Sequence, residues 1–351
     1  MSRNVRNRSQ PLMRATAARP LVDFIADSVG MTAEIMGQIG IDPAIASDPY
    51  ALIPLAQYVE HFERAAHVLG NPNLGLQVAM RLRPADLGPV GVLFSISPSI
   101  WSGLSRLADN GAILQDGTHS SLFEVGGDLV WTYRLADSTI WPRRQDSEFS
   151  LAAVCQLIRQ SFLPGWQPIE VHLEHGEQSE HSLLQKLFRA PVLYHQSANR
   201  LIMSREAALR RHRSEDTGMV GILARHIADL GQQHHQEATL VDRARRIVSL
   251  TLGQRPVTLD SVAAELRMSA RSLQRYLAEE GTSLRALVQE HRVEMARTLL
   301  EKTDMPLSQI ALTLGYADGT VFWRAYRNWT GQEPSASRRP EDETPGLQHD
   351  V

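Results

Sequence analysis

At 351 residues, the chain is long enough for two or three domains that each bury their own core. Its hydrophobic share of 43% and charged share of 21% are those of an ordinary globular protein. A single cysteine, Cys155, excludes an intramolecular disulfide and a zinc site built from several cysteines. Because no apolar run reaches the roughly 18 residues of a membrane helix, we expect no membrane span and a cytoplasmic location.

Charge is distributed unevenly along the chain. Residues 240–339 carry 15 lysines and arginines against 11 acids, whereas residues 1–239 carry 21 against 24. A basic segment in an acidic protein indicates a localised polyanion partner. Residues 1–19 contain five arginines and no acid, which predicts a flexible basic arm. Residues 340–351 contain four acids and no lysine or arginine, which predicts an acidic disordered tail.

Residues 20–213 mix helical and strand patterns. A helical stripe that stops at Gly70 consists of Leu55, Tyr58, Val59, Phe62, Ala66 and Leu69. Segments 122–125 and 128–134 flank a Gly126-Gly127 pair and predict a hairpin. Further patterned segments are a helix at 149–162 and short strands at 169–173 and 200–203. The mixture predicts an α+β domain.

Residues 214–239 predict one helix followed by a linker. The helix, from Met219 to His234, has an apolar stripe with spacings of three and four residues. That stripe consists of Val220, Leu223, Ile227 and Leu230. Such a helix packs either on its own domain or on a second copy of itself. These four residues are therefore the candidate contacts of a homodimer.

Four residues in and after the predicted hairpin are candidates for an effector pocket. They are Trp131, Tyr133, Arg134 and Trp141. Binding pockets combine apolar walls with a few polar anchors, and this group has both. Aromatic residues in an alternating strand also commonly belong to the core, so that alternative stays open.

The remaining reactive residue types do not predict a site. His172 lies on a predicted strand and His175 just beyond it. Positions three apart on a strand point to opposite faces, so a shared site would need a turn after Leu173, and we expect no metal and no cofactor. Cys155 lies in an apolar helical stretch and is predicted to be a buried small hydrophobic residue.

Residues 258–281 predict a helix-turn-helix unit. Thr258 is a candidate N-cap of a first helix and Ser269 of a second. In the second helix, Leu273 and Leu277 share the inward face. The candidate DNA contacts on its outward face are Arg271, Gln274 and Arg275, with Ser272 beside them. Two short helices with a polar outward face on the second are the plan of DNA-binding helix-turn-helix motifs.

Residues 306–331 repeat the plan. Gly315 fits the turn, Asp318 caps the second helix and Gly331 ends it. The inward stripe consists of Phe322, Ala325, Tyr326 and Trp329, and the outward face of Thr320, Trp323, Arg324 and Arg327. Trp323 either completes the core or covers a thymine methyl or a sugar, and Arg327 is a candidate phosphate contact.

A third helix is predicted between the units. An apolar stripe from Leu284 to Leu299 indicates about 20 helical residues, or roughly 30 Å. One turn of B-DNA measures about 34 Å. The length predicts that one chain places its two recognition helices in successive major grooves.

These segments resemble the C-terminal signature of the AraC/XylS family of transcription regulators. The matching stretches are Thr258-Leu-Asp-Ser-Val-Ala263, Met268-Ser-Ala-Arg-Ser-Leu-Gln-Arg275, Ile310-Ala311, Leu314-Gly-Tyr316 and 322–331. The resemblance implies a seven-helix DNA-binding domain over 240–339, direct-repeat promoter half-sites in double-stranded DNA, and contact with RNA polymerase. It places base contacts on Arg271, Gln274 and Arg275 in the first unit and on Gly319, Thr320, Trp323 and Arg324 in the second.

Three features differ from the family pattern, one of which is that residues 333–337 lack the aromatic residue usually found just before the closing Arg338-Arg339. Trp323 occupies a position where the family more often has a small polar residue, and Val321 one where serine or threonine is common. They put the base preference of the second unit in doubt. Looser landmarks at 165–172, 187–191 and 199–209 resemble the effector-binding half of OruR-like regulators in the same family, which implies a small-molecule effector.

The interpretation is a sequence-specific DNA-binding regulator, acting as a ligand-responsive activator of a catabolic operon. The alternative is an effector-independent repressor or architectural DNA-binding protein whose first domain only dimerises. The sequence has no phosphate-binding glycine-rich loop, nucleophile elbow, zinc-protease motif or paired-carboxylate constellation, so we do not expect an enzyme.

Overall fold

The computed structural model describes residues 11–29, 33–42, 48, 50–177, 181–232, 239–253 and 255–338. They form an N-terminal domain of helices and strands and a C-terminal domain of helices, with separate hydrophobic cores. The N-terminal strands are β1 (Leu12–Arg14), β2 (Leu52–Pro54), β3 (Thr118–Val125), β4 (Asp128–Leu135), β5 (Glu170–His172), β6 (Val192–Leu193) and β7 (Asn199–Ser204). The N-terminal helices are α1 (Arg19–Val29), α2 (Ala33–Ile39), α3 (Leu55–Val68), α4 (Leu74–Arg81), α5 (Gly88–Ser95), α6 (Ile100–Leu114), α7 (Arg144–Ser161), α8 (His181–Phe188), α9 (Arg205–Leu209) and α10 (Thr217–Gln232). The C-terminal helices are α11 (Leu240–Thr251), α12 (Leu259–Glu265), α13 (Ala270–Glu279), α14 (Leu284–Lys302), α15 (Leu307–Thr313) and α16 (Gly319–Thr330), followed by a 3₁₀ helix at Pro334–Ser337.

The main sheet of the N-terminal domain has five strands in the order β3-β4-β7-β5-β6. All neighbours are antiparallel except β5 and β6. In the β3–β4 hairpin, Val125 pairs with Asp128, which leaves Gly126 and Gly127 as the loop. Both glycines have positive φ values, 61° and 92°, as a tight hairpin loop requires. The predicted hairpin and the predicted α+β class are confirmed.

Helix α7 begins earlier than the sequence pattern predicts. Its apolar pattern begins at Phe149, but the helix begins at Arg144, and its polar first turn is buried. The buried polar residues of that turn are Gln145, Asp146, Ser147 and Glu148. Tertiary hydrogen bonds replace water for several of their polar groups: the Gln145 side-chain amide donates to the Pro72 carbonyl, and its backbone amide to a Glu63 carboxylate oxygen, each at 2.8 Å. Further along α7, Cys155 is buried as predicted, and burial raises the pKa of its thiol to about 12.

The predicted basic arm at 1–19 is wrong for its second half. Residues 12–14 pair with β2, and residues 15–17 form a 3₁₀ helix. Arg14 is only 2% exposed, and its guanidinium donates to the carbonyl oxygens of Ile113 and Leu230, each at 3.0 Å. Arginine-rich composition predicted solvation, whereas two buried carbonyls bind this arginine. The first ten residues of the arm, residues 233–238 of the linker and the acidic tail at 340–351 lie outside the described residues.

The C-terminal domain contains six α-helices and one 3₁₀ helix within its described residues, in agreement with the seven-helix expectation. One hydrophobic cluster lies in the first helix-turn-helix unit and a second in the other unit. The connecting helix α14 has 19 residues, about 28 Å at 1.5 Å per residue. Within the described residues, no helix is both long and apolar enough to span a bilayer.

Candidate nucleic-acid interface

The first helix-turn-helix unit is formed by α12 and α13. Thr258 caps α12 through a reciprocal pair of hydrogen bonds with Ser261. Arg267 forms the turn with φ 55°, a left-handed conformation that is costly for a residue with a side chain. The hydroxyl of Ser269 then accepts the Ser272 amide at 3.1 Å and begins α13.

Helix α13 separates a buried face from an exposed one. Leu273 and Leu277 are buried in the core of the unit. The first recognition surface, which consists of Arg271, Gln274 and Arg275, is exposed. Arg275 lies 3.7 Å from Glu279, and both side chains are mostly exposed, so this ion pair constrains Arg275 little. The Ser272 hydroxyl lies 2.8 Å from that of Ser269, which makes Ser272 part of the helix cap.

The second unit is formed by α15 and α16 with the same local geometry. Gly315 takes the left-handed turn position with φ 75°. A single Asp318 carboxylate oxygen accepts the amides of Thr320 at 2.8 Å and Val321 at 2.9 Å, which starts α16. Gly331 ends it in a left-handed conformation. The predicted cap, turn and end of this unit are therefore confirmed.

Helix α16 presents the second recognition surface, which consists of Thr320, Trp323, Arg324 and Arg327. Phe322 and Tyr326 are buried on the opposite face. Trp323 is half-buried and outside the core cluster, and the Arg327 guanidinium lies 5.4 Å from the centre of its ring. This cation–π contact holds Arg327 on the surface of the indole. Thr320, Arg324 and Arg327 are exposed.

Gly319 lies at the inner edge of the second recognition surface. A Cβ added there would be 3.6 Å from the backbone of Ser308 in α15, an ordinary contact distance. Gly319 is thus placed beside the first helix of its own unit.

The two units correspond residue by residue when their N-caps are superimposed in sequence. Ser269 and Asp318 then coincide, whereas the turn residues are offset by one, since Arg267 lies two residues before its cap and Gly315 three residues before its own. The corresponding outward pairs are Arg271 with Thr320, Gln274 with Trp323, Arg275 with Arg324, and Ala278 with Arg327. The first surface has two arginines and an amide, which can donate to base edges. The second has two arginines and an indole.

The units meet at a close backbone contact. A Cβ added to Gly253, at the end of α11, would lie 2.1 Å from the carbonyl oxygen of Thr313 at the end of α15. Arg292 of α14 adds a hydrogen bond to the carbonyl of Leu314 at 3.0 Å and lies 4.6 Å from the Tyr316 ring centre. The relative position of the two recognition surfaces is therefore set by packing at this junction as well as by α14.

Two of the four predicted effector residues are in the core of the N-terminal domain. Trp131 and Tyr133 are 2% and 6% exposed, with ring centres 6.3 Å apart. The Tyr133 hydroxyl donates to Asp146 at 2.8 Å and accepts from the Gln115 amide at 3.1 Å. Burial raises the pKa of Asp146 to about 7. Its other carboxylate oxygen and the Trp131 indole nitrogen have no hydrogen-bond partner among the described residues.

The other two predicted effector residues contact the C-terminal domain. The Arg134 guanidinium donates to the Leu252 carbonyl at 2.8 Å. The Trp141 indole donates to the Lys302 carbonyl at 3.2 Å, and Trp141 lines an interdomain cavity of about 10 Å³, room for one water molecule. A single pocket lined by all four residues is not formed, because alternation along β4 directs Tyr133 and Arg134 to opposite faces of the sheet.

The predicted dimerisation stripe packs inside its own chain. Ile227 and Leu230 of α10 are buried, and Val220 and Leu223 are half-buried against the core of the N-terminal domain. Helix α10 lies against α5 and α6. Of the two alternatives for this helix, the structure has it packed on its own domain, with Ile227 and Leu230 buried and Val220 and Leu223 partly accessible.

Contacts between the domains were not predicted from the sequence. Arg246 of α11 forms an ion pair with Asp116, and the Gln309 amide donates to the His195 carbonyl. Lys302 donates to the carbonyl of Thr139 at 3.3 Å. These side chains come from segments far apart in sequence, and no local pattern identifies them.

Comparison with known proteins agrees with this architecture. A family model described as the arabinose-binding domain of AraC transcription regulator, N-term, matches residues 30–212, and a helix-turn-helix domain model matches residues 262–340. The chain is 24% identical over 332 residues to the HTH-type transcriptional regulator VirS of Mycobacterium tuberculosis. This alignment covers 93% of this chain and 96% of VirS. The chain is 24% identical over 336 residues to the ornithine utilization regulator of Pseudomonas aeruginosa, which covers 95% and 98%. The crystal structure of transcriptional regulator CdpR from Pseudomonas aeruginosa matches with 19% identity and a TM-score of 0.46, over 93% of this chain and 98% of that chain.

Proposed function

Because the chain belongs to the AraC family of transcription regulators, with an arabinose-binding-type domain before its DNA-binding domain, we propose that it is a ligand-responsive activator of a catabolic operon. It is a DNA-binding regulator and not an enzyme, since both matched domains are those of transcription regulators. Its proposed targets are direct-repeat promoter half-sites, with one helix-turn-helix unit bound to each, and RNA polymerase is its proposed protein partner.

The observation that carries this proposal is that both recognition surfaces are exposed while the N-terminal domain is docked. Arg271 and Arg275 in the first unit, and Arg324 and Arg327 in the second, are exposed in the full chain. Exposed arginines on the second helix of each unit are suited to guanine edges and phosphates. Both surfaces are therefore accessible to solvent without separation of the two domains.

The test compares Arg271→Ala and Arg324→Ala with Arg297→Ala, which removes an equally exposed arginine from α14. The DNA is the duplex that the wild-type chain enriches from a random-sequence pool. We expect each recognition-surface variant to lose about 1–3 kcal/mol of binding free energy, while the thermal midpoint and the Arg297→Ala affinity stay near wild type. Equal losses in all three variants would show that these arginines contribute only general charge.

The effector is proposed to be a small molecule held by the N-terminal domain. A ligand acts on transcription only through different affinities for two states of the protein. A thermal-shift screen against amino acids, amines and small acids tests this, because a bound ligand stabilises the folded chain. No shift with any of these classes would favour the effector-independent alternative. A homodimer that used α10 would have only the half-buried Val220 and Leu223 of the stripe to offer, because Ile227 and Leu230 are buried.

A further inference from the structure

A buried arginine of the N-terminal domain lies at the junction of the two helix-turn-helix units. Arg134 of β4 is 2% exposed and forms no salt bridge among the described residues; the Glu174 carboxylate, which is paired with Arg143, acts on it only at longer range. One terminal nitrogen donates to the Leu252 carbonyl at 2.8 Å, the other lies 3.5 Å from the Met295 sulfur, and Nε has no partner among the described residues. Burial lowers the pKa of Arg134 to about 10. A cation buried without an ion pair is costly, so its position needs a compensating role.

The two atoms that Arg134 contacts belong to different parts of the DNA-binding domain. Leu252 follows α11 and precedes Gly253, whose missing side chain permits close packing on the Thr313 carbonyl, since an added Cβ would lie only 2.1 Å from that oxygen. Met295 lies in the middle of α14 and belongs to the core cluster of the second unit. A single guanidinium therefore joins the end of α11, a helix that packs in the core cluster of the first unit, to the core cluster of the second unit.

The strand that carries Arg134 also reaches the interior of the N-terminal domain. Its neighbour Tyr133 points to the opposite face of the sheet, where it is hydrogen-bonded to Asp146. A displacement of β4 by changed packing around Tyr133 would therefore also displace Arg134. The other interdomain contacts, such as the ion pair of Arg246 with Asp116, are more exposed and therefore fix the relative orientation of the domains less firmly.

We propose that Arg134 is a positioning residue for DNA binding, which holds the two helix-turn-helix units in the relative orientation that fits both half-sites of one operator. The inference rests on the bipartite binding proposed above. It assigns the docked arrangement to the DNA-competent state, because docking leaves both recognition surfaces exposed.

The test uses the full-length Arg134→Met variant. Methionine keeps most of the aliphatic length of arginine and removes its charge and its hydrogen-bond donors. Arg205→Met is the matched control, since Arg205 is an exposed arginine of the same domain paired with Glu124. Each protein is titrated with the duplex enriched by the wild-type chain and with the same duplex after one half-site is scrambled. We expect Arg134→Met to bind the intact duplex on the order of tenfold more weakly and the scrambled duplex as wild type does.

Equal loss on both duplexes, no loss on either, or tighter binding to the intact duplex would overturn the proposal. Arg134→Lys retains the charge and one direct donor, so we expect an affinity for the intact duplex between those of wild type and Arg134→Met. If Arg134→Met does not fold, Arg134→Lys is judged by the same comparison of duplexes.

A second measurement separates this inference from bipartite binding itself. If the wild-type chain binds intact and scrambled duplexes equally, the bipartite proposal is wrong. Amide hydrogen exchange at 250–253 and 313–316 without DNA then decides the role of Arg134. We expect faster exchange in Arg134→Met than in wild type or Arg205→Met, and unchanged exchange at both segments would overturn the positioning role.

Discussion

Because Gly253 packs directly against the backbone of Thr313, adding one methyl group at residue 253 tests the packing between the two helix-turn-helix units. In Gly253→Ala, the new Cβ would lie 2.1 Å from the Thr313 carbonyl oxygen, whereas real Cβ contacts stay above about 3.0 Å, so the two segments must separate by roughly 0.9 Å. Backbone atoms lie on both sides, and no side chain can rotate away. We expect overpacking to cost about 1–3 kcal/mol.

Conformation adds to that clash. Gly253 has φ +78°, and a left-handed conformation costs an alanine about 1–2 kcal/mol, of which about 0.4–1 kcal/mol is recovered because alanine restricts the unfolded chain. The total for Gly253→Ala is about 3 kcal/mol. Gly281→Ala is the matched control, because Gly281 has φ +71° and no atom within 4 Å of its added Cβ. It should cost about 1 kcal/mol.

Urea denaturation followed by circular dichroism measures both variants. If the two alanines lower the free energy of unfolding equally, the close approach of Gly253 to Thr313 does not exist in solution, and the packing between the units has been misread. We also expect Gly253→Ala to weaken binding to the intact operator duplex more than Gly281→Ala does, since only the first displaces one unit from the other.

Two further predictions concern stability. Arg267→Gly should raise the free energy of unfolding by about 0.5–1 kcal/mol, because glycine removes the strain of φ 55° at an exposed turn; a loss of stability in the same urea assay would mean that the Arg267 side chain makes a contact of greater value. Burial raises the pKa of Asp146 to about 7, so the folded state favours the protonated carboxyl. The stability that this preference contributes is fully present below about pH 4 and is lost as the pH rises through 7. The free energy of unfolding from urea titrations at pH 5, 6 and 7 should therefore fall by up to about 1.4 kcal/mol per pH unit in wild type and fall less steeply in Asp146→Asn, while parallel curves would refute the assignment.

Local patterns predicted the DNA-binding domain well for a physical reason. Its helices are short, amphipathic and individually capped, so spacing alone separates Leu273 and Leu277, or Phe322 and Tyr326, from the exposed surfaces. The cap at Asp318 and the glycine at position 315 are also local signals. None of these features depends on which distant segment the helix packs against.

Features that depend on distant segments were predicted poorly. The apolar stripe of α10 shows which face is buried and not which surface covers it, and its own domain covers Ile227 and Leu230. Arg14 was predicted to be solvated, because composition cannot show that two backbone carbonyls from distant segments accept hydrogen bonds from its guanidinium. The first turn of α7 was missed since polar residues such as Gln145 and Glu148 are buried there by tertiary contacts.

The prediction that Tyr133 and Arg134 line one pocket could have been rejected from the sequence alone. Strand periodicity already places adjacent residues on opposite faces, so one pocket cannot receive both side chains. The sequence therefore already showed that the two side chains lie on opposite faces. Only the structure shows that the C-terminal domain docks on the face of Arg134.

The solitary buried cysteine makes the chain convenient for spectroscopic labelling. Cys155 is inaccessible, and its thiol is held protonated, so a maleimide fluorophore or nitroxide has no native attachment point on the folded protein. Cysteines introduced at exposed positions such as Glu206 in the N-terminal domain and Arg297 in the C-terminal domain would be modified selectively. The distance between two such labels then follows the domains directly as DNA or a metabolite is added, without any background to remove.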